Sequence, residues 1–377
     1  MVRDAQRRGA ACATADHRDA DGRGAGGDDD DADPGLTPPV CDPRHTSKHC
    51  RRFVPTVGWT RQFVWYPLAG LERKASHMTH LSLGVIGAGR VGAVLAARFR
   101  TAGYPLVGVS GRSPASLLRI SNLLPDVDVL TPTELARASD ILVLAVPDDD
   151  LIAVAEELAA SGAVRPGQYV LHTSGRHGLD ALASLTRLGA RPIAFHPAMT
   201  FSGTPVDLDR SPVFGLTADP AERPLAEELV AALGGTPMWV AEADRALYHA
   251  ALAHGANHLV TLVAQSMDLL RTAGADDPAA VLRPLLAAAL DNVLAYGDAA
   301  LTGPVVRGDI TTIRAHVDAL AAADVDDATV DAYLELARAT AGRAEVDGRL
   351  AASQASTIRQ VLDEADWDTL AEIAAGI

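Results

Sequence analysis

The stretch Leu81–Arg112 holds the residues whose types and spacing speak most directly of chemistry. A short apolar run ends in Gly87-Ala88-Gly89-Arg90-Val91-Gly92, and a helix-forming segment follows at once. Each glycine has its own use: Gly87 for a tight strand-to-helix turn, Gly89 for close approach of the backbone to a pyrophosphate, Gly92 for close packing of helix on strand. The pyrophosphate of a dinucleotide would rest on the positive, N–H-donating start of that helix. A glycine turn that serves packing alone is the alternative. One helix later a second apolar run, Pro105–Val109, leads into Ser110-Gly111-Arg112-Ser113. NAD-binding chains usually place a carboxylate there for the ribose 2′-hydroxyl. A guanidinium and two hydroxyls suit a 2′-phosphate instead, so the expected cofactor is NADP, against an ordinary surface Arg112.

Three later apolar runs also end in polar groups. Asp140–Val146 runs into Val146-Pro147-Asp148, at the carboxyl edge of a sheet where ligands bind in such an architecture. The next run ends in His172-Thr173-Ser174-Gly175, and the one after in His196-Pro197-Ala198-Met199-Thr200-Phe201. Their convergence makes His196 and Ser174 candidates for a substrate site; a structural histidine is the alternative. Tyr248-His249 and Asn257-His258 follow on a helical segment. His249 and Asn257 are eight residues apart, about 800° around an α-helix, which leaves them within roughly 80° of one face. Both would point at a substrate carbonyl from a helix crossing the crevice mouth, unless they serve solvent exposure or inter-helix hydrogen bonds. The turn-rich Leu301-Thr302-Gly303-Pro304-Val305-Val306-Arg307-Gly308-Asp309 offers Arg307 as a bidentate clamp for a carboxylate. The plainer readings are a solvated Arg307 and an Asp309 that only caps a helix.

The elements that must position these groups change character along the chain. Strands are expected at Leu81–Ile86, Leu106–Val109, Val127–Leu130, Ile141–Ala145, Tyr169–His172, Pro192–Phe195, Val213–Leu216 and Met238–Val240, with Ala/Leu-rich helices between most of them. That order is α/β, a doubly wound and mostly parallel sheet. From about residue 244 only helical patterns remain, at Arg245–Ala273, Pro278–Tyr296, Ile310–Ala322, Ala328–Ala341 and a terminal amphipathic segment, Val361–Ile373. Asp277-Pro278 and Gly308-Asp309 supply helix starts. The second domain, 244–377, is thus expected to be all-helical, and its length and alanine content suit a homodimer interface.

Residues 1–77 differ in kind. They carry an Asp28–Asp31 run, Pro-rich patches and scattered Arg without sustained periodicity, too little apolar surface to offset chain entropy. They contain no apolar core of a secretory signal. The expectation is a disordered or mis-annotated extension, with Met78 a natural start for the first domain, 78–243. Cys41, His45, His49 and Cys50 fit no common zinc spacing, and no metal is expected. All three cysteines and both lysines lie before Met78, leaving 21 Arg against 37 Asp+Glu beyond it, a net charge of −16. Thiolate and lysine Schiff-base catalysis are therefore excluded from residues 78–377, and nucleic-acid binding through basic patches is disfavoured. Charges interrupt every apolar run short of a membrane span, so a cytoplasmic chain without disulfides is expected.

Taken together, these residues resemble a bacterial family pairing a Rossmann-like domain with a helical domain of unknown function, DUF2520. Leu301–Asp309, after His196–Phe201, carries the most specific part of the resemblance, which extends from Met78 to the end. The family is similar to the 6-phosphogluconate-dehydrogenase-like superfamily, with ketopantoate reductase, pyrroline-5-carboxylate reductase and prephenate dehydrogenase as relatives. The resemblance implies an NADP-dependent oxidoreductase acting on a small 2-oxo or imino acid, ketopantoate-like by analogy. Ketopantoate reductases rely on a catalytic Lys, which residues 78–377 lack. His249 would replace it as general acid, with His196 as second choice; Asn257 and Ser174 would bond the reacting oxygen, and Arg307 the carboxylate. His196-Pro197, and His249 with Asn257-His258-Leu259, are similar to prephenate dehydrogenase motifs. A non-catalytic NADP sensor or scaffold, and a deazaflavin-dependent NADP reductase, are the alternatives.

Overall fold

The structure, a computed structural model, describes residues 80–365. The expected extension 1–77, its Cys/His group and the end of the predicted terminal helix lie outside the described residues. Seven strands form one sheet: β1 (Leu83–Ile86), β2 (Leu106–Ser110), β3 (Ile141–Leu144), β4 (Tyr169–His172), β5 (Arg191–Ala198), β6 (Val213–Ala218) and β7 (Thr236–Trp239). Their spatial order is β2-β1-β3-β4-β5-β6-β7. All neighbours run parallel except β5 and β6.

β1 and β3 carry no polar side chain and are buried at every position because both faces are covered. Alternate residues go to opposite sides. Val85, Ile141, Val143 and Phe195 join a core with α1 (Arg90–Thr101), α2 (Pro114–Leu123) and α6 (Arg223–Ala232). Leu142, Leu144 and Val170 join a second core with α3 (Pro132–Ala138), α4 (Leu151–Ala160) and α5 (Ala183–Thr186). On the first side Phe195 lies between Phe99 and Phe214, with ring centroids 6.4 and 4.6 Å away.

Two sequence expectations change here. Val127–Leu130 is no strand; it makes a single bridge, Val109 to Val129, held by hydrogen bonds on both sides of Val109. Pro125 before it and Pro132 after it leave too little chain to extend the ladder. Conversely, β5 runs on to Ala198, so His196 and Pro197 lie inside a strand. Its parallel pairing with β4 ends at Ala194, but the antiparallel β6 carries the ladder on, matching His196 with Gly215 and Pro197 with Phe214.

Beyond β5 the chain folds back over the start of α1. The Asp207 carboxylate organises this return, accepting from the Ser202 amide (2.8 Å), the Ser202 hydroxyl (3.0 Å) and the Gly203 amide (2.7 Å). Burial pushes its pKa up, but these hydrogen bonds outweigh burial and hold it below the ordinary value. Gly203 has φ +77°, and a Cβ there would lie 2.8 Å from Arg119 Nε and 3.1 Å from Arg90 Cα. The loop, Arg90 and Arg119 are therefore in contact at one end of α1.

The remaining described residues are helical: α7 (Arg245–Leu252), α8 (His258–Thr272), α9 (Pro278–Tyr296), α10 (Pro304–Arg307), α11 (Ile310–Ala322), α12 (Asp327–Val346) and α13 (Ala352–Asp363). Asp277 caps α9 through the Ala280 amide (3.0 Å), and Asp309 caps α11 through the Thr312 amide (3.1 Å), as their positions predict. Residues such as Ile313, Leu334, Ala341 and Ile358 make a separate apolar core. The segment expected as one helix, Arg245–Ala273, is divided by a π turn at Ala253–Asn257. The last described helix starts at Ala352, well before the predicted Val361. One stretch, Pro278–Arg307, is long and apolar enough to cross a membrane by length and composition alone, although charged residues interrupt it as expected. Arg283 and Asp291 interrupt α9 but are too few to lower the mean hydropathy of its leucine- and alanine-rich background.

Candidate functional site

The strand order reverses across β1 and β3, and the crevice outside their carboxyl ends is where an open α/β sheet takes ligands. Gly87 turns the chain there with φ +96°; a Cβ would lie 2.5 Å from the Ala145 carbonyl oxygen. At Gly92 a Cβ would come within 2.1 Å of the Gly87 carbonyl oxygen, so helix and strand touch only because both residues are glycine. Gly89 differs, since a Cβ there would meet nothing within 4 Å. It is the N-cap of α1 and has no side chain to satisfy the first amides, which leaves the N–H groups of Arg90, Val91 and Gly92 facing open space beside Ala88. This is a cradle for an anion.

The residues after β2 lie beside that cradle. The Ser110 hydroxyl accepts from the Gly87 amide (3.1 Å), and the Ser110 carbonyl accepts from the Ala88 amide (2.7 Å). Ser110 is thus a brace for the glycine loop. Ser113 caps α2, its hydroxyl accepting from the Ser116 amide (3.1 Å). Arg112 is exposed between them and makes no hydrogen bond or ion pair among the described residues. The Arg119 side chain and the Arg90 backbone both lie against Gly203 at the start of α1; Arg119 was not among the residues sequence reasoning named.

On the other side of the crevice Val146, Pro147 and Asp148 follow β3. Asp148 pairs with Arg176 Nε (3.3 Å), and the same Arg reaches Asp149 (2.9 Å), tying the loop after β3 to the loop after β4. Ser174 is buried; its hydroxyl accepts from the His177 amide (3.2 Å). His172 is fully buried and donates from Nε2 to the Gly178 carbonyl (3.0 Å). Burial first, then Arg245 and His177, push its pKa down to about 3.

The deepest cluster joins β5 to α7. His196 Nδ1 and the Tyr248 hydroxyl are 2.9 Å apart and share a hydrogen bond. The His249 ring stands edge-on to His196, centroids 5.9 Å apart. Two glycines admit these rings. A Cβ at Gly175 would lie 2.5 Å from His249 and 3.0 Å from His196 Nε2; one at Gly215 would lie 2.4 Å from the Tyr248 hydroxyl. Beneath them lies Arg245, 1% exposed. It donates to the Ser174 carbonyl (2.8 Å), to Thr217 Oγ1 (3.0 Å) and to the Gly215 carbonyl (3.5 Å), and its guanidinium sits 5.8 Å from the Tyr248 ring centre. It forms no ion pair among the described residues. Burial first, then the charge of Arg245, then His249, push the His196 pKa down to about 4. Burial likewise raises that of Tyr248, against the pull of Arg245. His196 is therefore neutral at pH 7 and Tyr248 protonated.

Asn257 and Arg307 do not join this cluster; no hydrogen bond, ion pair or ring contact among the described residues links either to it. Asn257 ends the π turn, which breaks the 100° spacing on which its expected alignment with His249 rested. Arg307 closes α10, whose Val305 and Val306 belong to the core of the later helices. Asp309 is the helix cap described above. Arg245 and Tyr248 were absent from the predicted site. Signals for them exist: Arg245 stands at a helix start, where the macrodipole disfavours a cation, and Gly215 interrupts an apolar strand, a sign of close approach.

Residues 71–197 match the family model of a Rossmann-like domain, and residues 212–340 that of DUF2520, a domain of unknown function. The chain pairs a Rossmann-like domain with DUF2520. No curated protein matches it. Among solved structures, a candidate NADP oxidoreductase from Bacteroides fragilis is similar, at 20% identity over 70% of this chain and 98% of that one, TM-score 0.60. A Thermotoga maritima protein is similar at 20% identity over 70% and 99%, TM-score 0.54. An imine reductase from Pseudomonas sp. gives 20% identity over 72% and 99%, TM-score 0.51. At such identities the likeness is one of fold. The Rossmann-like domain supplies the anion cradle and His196, and α7, within the DUF2520 match, supplies Tyr248 and His249.

The buried histidines make stability depend on pH. Both titrate in the fold below their ordinary value of 6.5, so the unfolded chain takes up their protons first as the pH falls. Their stabilisation is complete above about pH 6.5 and is lost as the pH drops towards 4. Urea unfolding at pH 7 and pH 5 is expected to differ by roughly 1–2 kcal/mol per histidine. Equal stabilities at the two values would contradict the neutral assignments.

Proposed function

We propose that this chain is an NADP-dependent oxidoreductase reducing the carbonyl or imine carbon of a small 2-oxo or imino acid. The observation that carries the reading is the joint position of the uncapped start of α1 and the His196–Tyr248–His249 cluster, both at the crevice side of one sheet. The amides after Gly89 would hold the diphosphate and Arg112 the 2′-phosphate, with Val146 and Pro147 beside the nicotinamide ribose. Bound there, NADPH supplies a hydride to the substrate carbon.

The protein's own part is positioning and one proton. His249, half-buried on the rim of the cluster, donates the proton that the substrate oxygen or nitrogen gains as its carbon accepts the hydride. His196, neutral and tied to Tyr248, orients rather than donates. The buried charge of Arg245 gives the floor of the site a positive potential, which favours a substrate carrying a carboxylate.

Calorimetry should find NADPH bound roughly tenfold or more tightly than NADH, with the preference erased in Arg112→Ala. Failure to bind either nucleotide would overturn the reading. In a screen of 2-oxo and imino acids, His249→Ala is expected to cut turnover by roughly 10²–10³ while leaving NADPH affinity nearly unchanged. Equal loss of both, or of neither, would remove His249 from the proton-donating role.

A further inference from the structure

His254 and His258 follow the crevice cluster in sequence, but among the described residues they make no hydrogen bond, ion pair or ring contact with it. Both are exposed. Their Nδ1 atoms are 3.0 Å apart and share a hydrogen bond, with the ring planes 89° apart and the ring centroids 5.2 Å apart. One Nδ1 therefore carries a proton and the other turns its lone pair towards it. In water each ring finds a solvent partner as readily, and holding both rings costs side-chain freedom, so the hydrogen bond alone gives little reason for the pairing.

The backbone brings the rings together. His254 lies within the π turn Ala253–Asn257 and His258 opens α8. Single π turns inside α-helices occur frequently at functional sites. Residues four apart share a helix face, and His254-Gly-Ala-Asn-His258 has the histidine spacing of the helical H-E-x-x-H motif, whose two imidazoles bind a metal. Ala256 and Gly255 stand between the histidines, so the Glu that serves that motif as general base is missing and no hydrolytic role follows.

The distance between the nitrogens selects the ion. Two nitrogens about 2.0–2.1 Å from one metal lie about 2.9 Å apart if they meet it at a right angle, and about 3.3 Å apart at the tetrahedral angle of zinc. The observed 3.0 Å matches the right angle. That is the relation of adjacent ligands around Cu(II) or Ni(II), which imidazole nitrogen suits. Loss of the shared proton and a small turn of each ring aim both lone pairs at one ion. No group of three His, Cys, Asp or Glu ligands occurs among the described residues, so water would fill the other positions.

We propose that His254 and His258 form a two-nitrogen chelate for Cu(II) or Ni(II) that fastens the π turn joining α7 to α8. Hydrogen exchange of the full chain, with and without Ni(II), reads this site apart from metal taken up by the histidines and cysteines before Met78. With free Ni(II) at about ten times its dissociation constant, amides of residues 253–262 should exchange roughly tenfold more slowly, and EDTA should restore the original rate. His254→Gln and His258→Gln should each abolish the response, with metal-free exchange and the circular dichroism spectrum as in the unaltered chain. An absent response, one that survives either substitution, or stronger slowing by Zn(II) than by Ni(II) at equal free concentration would each overturn the proposal. None of these readouts depends on bound nucleotide or on turnover.

Discussion

A guanidinium buried without a carboxylate is the constraint around which the crevice is built. Removing such a charge from water is costly unless its N–H groups find partners. The two terminal nitrogens of Arg245 find them in main-chain carbonyls and one hydroxyl, Ser174 from the loop after β4, and Gly215 and Thr217 from β6, while its Nε stays unpartnered among the described residues. The first turn of α7 is thereby fixed to two parts of the sheet at once. Tyr248, one turn on and ring-face to Arg245, is carried to His196, and His249 comes with it. Burial holds His196 and His172 in their neutral forms, and the charge of Arg245 acts in the same direction. One residue thus fixes the geometry of the cluster and adds its charge to the burial that keeps the histidines neutral.

The space for this arrangement is made by missing Cβ atoms. Gly175 and Gly215 leave room for His249 and Tyr248, as Gly87 and Gly92 let α1 close on β1. Gly89 is the exception, because nothing in the protein occupies the room it leaves. A glycine crowded by no neighbour, at the uncapped start of a twelve-residue helix, leaves the backbone open to an anion approaching from outside. The Asp207-braced loop, with Arg90 and Arg119 beneath it, walls the same end of α1.

Much of this was legible in the sequence because it rests on short-range chemistry. The glycine turn, the alternation of strands and helices and the caps Asp277 and Asp309 depend on a few neighbouring residues each, and they stand where the pattern put them. What escaped depends on partners distant in the chain. The length of β5, and hence the place of His196 within a strand, is decided by β6 turning antiparallel about twenty residues later. The π turn at Ala253–Asn257 carries no mark in composition, yet it invalidates an angle computed for an ideal helix. Arg245 is meaningful only through Ser174, some seventy residues earlier. The Leu301–Asp309 motif was read for its Arg and Asp; its valines go to the helical core and its Asp caps α11.

The measurement closest to the central claim is a crystal structure of the chain grown with NADPH. The account predicts the diphosphate on the amides that follow Gly89 and the nicotinamide ring between Val146-Pro147 and His249, with His196 still bonded to Tyr248. Nucleotide seated elsewhere on the chain, or a nicotinamide ring directed away from the histidines, would contradict it.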